Sequence, residues 1–236
     1  MALLGDAVIA MWADFAPEID PDFEDWHTHE HMPERLGIPG FLRGTRWSAT
    51  AGGPSYFMMY ELESLDVFSS GAYLERLNHP TPWTRKLTPH FRNMMRSPCR
   101  AVGSVGAGVG AALLTIRFSP RPGEADPLQG WLVDTVLPDL ARRPGLASAH
   151  VLVAEPRVMP PPTEEQRIRG GDATADWVLL VEGYDATAIA ALPSHALGAG
   201  VLRDRGAAPE AVAGVYRLDF ALTNVDLGAL PGARPA

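Results

Sequence analysis

Residues 6 to 14 form a short apolar run between two aspartates and read as a first strand. Behind them, Asp20-Pro21 offers an N-cap followed by proline at the first helical position, where its missing N–H costs nothing. A helix is predicted from there to about residue 36. Strands follow near 42–50 and 55–63, then a helical region over 65–76 with an irregular extension through 79–90. A closing strand lies near 91–103. The same order then returns. A strand starting at Ala112 leads to Asp126-Pro127 and a helix ending near 141. Strands near 147–154 and 176–183, a helical region over 186–196 and a strand near 212–223 complete it. Each half reads βαββαβ, the split βαβ unit in which four antiparallel strands pack against two helices. One sheet face stays bare in such a unit, and the second unit is the nearest candidate to cover it.

The residues support the same division. When DWHTHEHMPERLGIPGFL is set above GWLVDTVLPDLARRPGLA, Trp26 falls on Trp131, Pro33 on Pro138 and Pro39-Gly40 on Pro144-Gly145, all at a separation of 105 positions. AVIAMWADF and ALLTIRFSP, from Ala7 and Ala112, keep that separation. Glu61 and Glu182 match at 121, so 16 residues are inserted in the second half. The Pro-, Gly- and charge-rich stretch AEPRVMPPPTEEQRIRGGDATAD is where they must lie, and it reads as a long exposed loop. The glycines of GSVGAGVGAALL, residues 103–114, precede a strand, the reverse of a nucleotide loop, and read as a linker. The prolines at 33 and 138 predict a kink or restart near Met32 and Leu137 in both helices. The expected fold class is α+β, with two tandem ferredoxin-like repeats, residues 1–105 and 106–236. The second repeat is expected to be structural.

The half-one motif EHMPERLGIPGF, a His-x-Pro closed by Ile-Pro-Gly, resembles the dimeric α+β barrel superfamily, in particular its EthD-like branch, here as a tandem duplication. The resemblance covers both halves in architecture, but the motif occurs only in the first. It implies a barrel built from two units. It implies a reaction only loosely, since the superfamily holds cyclases, cofactor-free monooxygenases, isomerases, decarboxylases and haem enzymes.

Composition narrows the partners. The 236-residue chain is 46% hydrophobic and 20% charged, with a formal charge of −8, which argues against nucleic acid and anionic membranes. Its single cysteine excludes an internal disulfide and fits a reducing compartment. No stretch approaches a membrane span, and the apolar start lacks basic residues, so a cytoplasmic protein is expected. A small-molecule substrate is the expected partner, and a homodimer remains open.

The candidate chemistry lies in DWHTHEHMPER. His27, His31 and Arg35 are spaced i, i+4, i+8 and share one helical stripe. Their counterparts are Leu132, Val136 and Leu140, a face that packs on a core. If the copies fold alike, the histidines point between helix and sheet, where unpartnered polar groups are destabilising. His29 and Glu30 face polar counterparts, Asp134 and Thr135, and read as surface. Trp26 is shared with Trp131 and reads as structural. His27 and His31 are therefore the expected general base and acid, in either order, with no cofactor. Arg35 would steady a carboxylate or enolate oxygen. Trp47 and Tyr60, opposite Leu152 and Val181, would wall a flat apolar ligand, with Arg46 on the other sheet face from Trp47.

The expected activity is proton transfer on a small carbonyl-bearing or aromatic compound: isomerisation, cyclisation, decarboxylation or another lyase step. Alternatives remain. HTHEH matches the inverted zinc-protease pattern, but Pro33 follows its last histidine too closely for the long helix that site needs. A simpler metal site would join His27 and His31 to a third ligand from His79, His90 or Glu24. Haem would have only His150 and His195 in half two as axial ligands. A non-catalytic pocket for a hydrophobic ligand is the remaining class.

Overall fold

The computed structural model describes residues 3–158 and 162–229. Eight strands form the frame: β1 Ala7–Asp14, β2 Phe41–Gly52, β3 Tyr56–Leu62, β4 Arg92–Gly106, β5 Ala112–Phe118, β6 Leu146–Ala154, β7 Trp177–Gly183 and β8 Val212–Thr223. Every pairing is antiparallel, and the spatial order β1-β3-β2-β8-β5-β7-β6-β4 closes on itself through β4 and β1. Within it lie two ferredoxin-like sheets, β4-β1-β3-β2 and β8-β5-β7-β6. They are joined edge to edge at β2–β8 and β4–β6. Closure removes the sheet edges that a lone four-stranded unit would expose. The bare faces of both sheets meet inside, where Val8, Trp12, Trp47, Phe57, Leu113, Leu152, Leu180 and Tyr216 pack together.

The outer faces carry the helices. In half one these are α1 Asp20–Trp26, α2 Met32–Leu36, α3 Gly71–Asn78 and α4 Pro82–Leu87. The second half of the chain supplies α5 Ala125–Trp131, α6 Leu137–Leu140, α7 Glu164–Arg169, α8 Ala186–Ala191, α9 Ala199–Asp204 and α10 Asn224–Ala229, of which α7 and α10 reach half one. The helix starts differ from the expected ones. Ile19 and Glu124, not the aspartates, occupy the N-caps, and neither makes a side-chain capping bond. The expected restart is real. Residues His27–His31 and Leu132–Val136 form a widened π turn in each half, closed by Met32 N–H to the His27 carbonyl and Leu137 N–H to that of Leu132. The prolines at 33 and 138 follow directly, as residues without an N–H to give to a tighter turn.

Shared details extend to the turns. Gly40 and Gly145 both adopt positive φ, +91° and +87°, which explains why Pro-Gly recurs there. Glu61 accepts from Leu4 N–H and Glu182 from Gly110 N–H, so each buried carboxylate ties down the segment leading into its own half's first strand.

Two further expectations need correction. Residues 103–106 are not linker: β4 continues through Gly106 to pair with β6, because this strand stitches one sheet to the other. The insertion is not simply an exposed loop. It carries α7, whose Thr163–Gln166 capping box and left-handed Gly170 C-cap define a helical turn that packs onto half one. Residues 159–161 of the insertion lie outside the described residues. No described helix is long and apolar enough to cross a membrane.

Candidate active site

The widened turn between α1 and α2 presents its side chains to the outer face of half one's sheet. There a narrow, half-open cavity is lined by Trp26, His27, His31, Arg35, Tyr60 and residues of α3, β4 and α7. Its apolar wall comes from Ile9, Met11, Met58, Phe91 and Met94. A mostly apolar lining with a few convergent polar groups is that of a small-molecule pocket.

His27 is fully buried, its ring 5.7 Å from that of His31, and its Nε2 lies 3.3 Å from the Tyr60 hydroxyl. His31 stacks on Trp26 with ring centroids 4.3 Å apart. In both imidazoles Nδ1 is buried without a hydrogen-bond partner among the described residues. Burial, reinforced by the Arg46 and Arg35 charges, pushes the His27 pKa down to about 3. Burial and Arg35 also hold His31 well below the usual histidine range. Both rings are therefore neutral at physiological pH. Burial pushes the Tyr60 phenol up, so it stays protonated and able to donate.

Arg35 lines the cavity despite the proline and the π turn upstream, but its guanidinium is already engaged. It pairs with Glu34 at 3.2 Å and, in a short contact, with Glu165 of α7. Burial works against its charge, and the two carboxylates more than offset that and keep it ionised. Nearby, Arg96 donates to the Tyr73 hydroxyl, and Arg169 forks onto Asp172 at 2.6 and 2.7 Å.

Several expectations fail here for identifiable reasons. Trp47 is not a pocket wall. It pairs with Phe57 across the β2–β3 ladder and so points into the barrel, donating to Thr45. Tyr60 pairs with Gly44 and lies on the helix side. Arg46, not Trp47, shares that outer side, where it donates to the Glu24 carbonyl and the Thr28 hydroxyl and fixes the first helix to β2. Trp26 is structural, donating to Glu30 and Thr84, but it also lines the cavity. Glu30 is half-buried, held by Trp26 and Thr81, rather than a solvated residue; His29 is exposed.

The alternative ligand sets do not assemble. His79 is exposed and pairs with Glu75, Glu24 accepts from Tyr56, and neither Glu24 nor His90 lines the cavity. Among the described residues, no group of three His, Cys, Asp or Glu side chains could hold a metal ion. The haem candidates in half two do not fit either. His150 is buried and bonded to Ser104, with its pKa pushed down by burial to about 4, and His195 is exposed beside a shallow apolar depression.

Sequence reasoning missed Glu165 and Arg169, because an insertion has no counterpart to compare. It also missed Arg96. Met11 pairs with Arg96 as Ile116 pairs with Ala213, so the counterpart of this arginine is alanine. That signal needs the strand register to be seen.

No protein-family model and no curated protein matches the sequence. Solved structures do. An anthrone oxidase-like protein matches at 14% identity over 92% of each chain with a TM-score of 0.66. A monooxygenase-like protein from Lactobacillus acidophilus NCFM matches at 9% identity over 93% of this chain and 97% of its own, TM-score 0.60. A chlorite dismutase-like protein matches at 11% identity over 91% and 94%, TM-score 0.53. At these identities the likeness is one of fold, the ferredoxin-like dimeric α+β barrel.

Proposed function

We propose that the chain is a cofactor-independent acid–base enzyme acting on a small carbonyl-bearing or aromatic compound held in the half-one cavity. The observation that carries this reading is the pair of imidazoles, each with a buried Nδ1 that has no partner among the described residues, on a stripe that half two fills with Leu132, Val136 and Leu140. Unsatisfied buried nitrogen is destabilising by about 1–3 kcal/mol per group, so a ligand that satisfies it is the simplest reason for its presence.

The geometry supports the following roles. With Nε2–H donating to the Tyr60 oxygen, His27 presents a lone pair on Nδ1 and serves as the base. A proton leaving a carbon beside a carbonyl then passes to His27, and the enolate oxygen accepts from the Tyr60 hydroxyl. The proton taken up by His27 passes to His31 and from there to product, so both imidazoles end the cycle neutral as they began it. The low pKa of His27 belongs to the free pocket; charge developing on an enolate beside it favours imidazolium and strengthens the base when it is needed. Arg35 is already paired with Glu34 and Glu165, so the oxyanion is left to Tyr60.

We read the chain further as a duplication of an EthD-like unit, with halves at 1–105 and 106–236 and the second site lost. Isomerisation, aldol-type cyclisation and elimination by a lyase all open with this proton transfer, and decarboxylation reaches the same enolate by loss of CO2 and uses only the proton returned by His31. Attack of O2 on a deprotonated phenol or ketone opens with the same proton transfer, and two structural relatives carry oxidase-like or monooxygenase-like descriptions. Deuterium exchange into a panel of aromatic ketones and phenols, followed by NMR with O2 uptake recorded in parallel, tests the reading. Exchange lost in both His27→Ala and His31→Ala, with folding intact, is the expected result. Retained exchange in both refutes the assignment, and O2 uptake selects the oxygenating branch.

A further inference from the structure

The most distinctive contact in the cavity crosses from one half of the chain to the other. Glu165 sits on α7, within the insertion of half two, and is 6% exposed. Its carboxylate holds Arg35, beside the histidine pair, and lines the cavity with Thr163, Gln166 and Arg169. The helix is well anchored there. Its N-terminal turn is closed by the Thr163–Gln166 capping box, Glu164 N–H reaches Asn78 of α3, and Arg169 lies over the Phe91 ring. Glu34 holds the same guanidinium from the other side.

A bare arginine at this place would fork onto a carboxylate ligand. We propose that Glu165 is a specificity-determining residue, which occupies Arg35 so that the cavity accepts uncharged ligands and rejects carboxylates. The proposal rests on the reading of this cavity as the ligand site. At Arg35 an incoming carboxylate must either displace Glu165 or lie beside it, and both are unfavourable; of the other arginines that line the cavity, Arg169 is held by Asp172 and Arg96 donates to Tyr73. A neutral ketone or phenol meets no such opposition and becomes anionic only as its proton leaves. The insertion thus gives half two a function in a site it does not otherwise line.

The test uses two ligands of matched shape on the full chain, 2-acetonaphthone and 2-naphthoate, with binding measured by ligand-observed NMR at pH 7. The wild type is expected to bind the ketone about tenfold tighter or more. Glu165→Gln should raise the affinity for naphthoate about tenfold while leaving that for the ketone within about threefold. In Arg35→Gln/Glu165→Gln, where both charges leave together, that gain should vanish. A wild type that prefers naphthoate, or a Glu165→Gln variant that shifts both ligands alike, overturns the proposal. Should Glu165→Gln fail to fold, the wild-type preference and the double variant still decide. Failure of both ligands to bind any of these proteins overturns the cavity reading itself, and the selectivity with it.

Discussion

The two halves share a backbone down to an unusual turn and differ in what that turn carries. His27–His31 and Leu132–Val136 are both π segments followed by a proline. In one half the turn presents two imidazoles to a cavity, and in the other Leu132 and Val136 to a closed aliphatic core. A π turn in a single helix invites a functional explanation. Its presence in both halves assigns it to the frame, and leaves the polar side chains as what distinguishes the first half. Position and chemistry are thus separable in one molecule.

Moving the residues of one half into the other breaks the comparison most severely. His27→Leu/His31→Val, which installs the half-two stripe in half one, should lower deuterium exchange or turnover at least about 100-fold. The reverse change, Leu132→His/Val136→His, should confer no activity. Chemical denaturation should show it destabilised by about 2 kcal/mol or more, because half two has no Tyr60 or Arg35 opposite those rings.

Acid sharpens the difference. The folded pKa of His27, about 3, lies below its unfolded value of 6.5, and His31 shifts the same way. The unfolded chain therefore binds protons that the folded chain refuses, and stability falls as pH drops from 6.5 toward 3. The limiting slope is about 1.4 kcal/mol per pH unit for each histidine. Glu182 acts oppositely. Burial raises its pKa to about 7, so its contribution is lost as pH rises from 4.5 through 7. Comparing wild type with His27→Leu/His31→Val cancels Glu182 and isolates the histidines; the double variant should show the flatter acid limb. At the small end, His29→Ala and His79→Ala remove exposed rings and should change stability by less than about 0.5 kcal/mol, with activity unaltered.

Much of this was legible because the chain carries its own comparison. Element order, the Pro-Gly turns, the restart before Pro33 and the inward stripe of His27, His31 and Arg35 all follow from the residue pattern. Two kinds of information were not. Which sheet face a strand residue occupies depends on register, so Trp47 was placed on the cavity side although its pairing with Phe57 turns it into the barrel. Contacts across the halves depend on tertiary packing, so a charged Pro-rich insertion read as solvent-exposed although it delivers Glu165 to Arg35. Pro, Gly and charge mark where a chain leaves regular structure, and carry no record of what it returns to touch.

The central claim is that the imidazole pair serves a ligand at the expense of the fold. The thermal midpoint of His27→Leu/His31→Val at pH 7, beside that of the wild type, tests it most directly. A midpoint equal to or above wild type, in a variant without activity, is the result expected when two unsatisfied polar groups give way to the aliphatics that half two already packs. A midpoint several degrees lower would show that the histidines hold the fold together, and would contradict the claim.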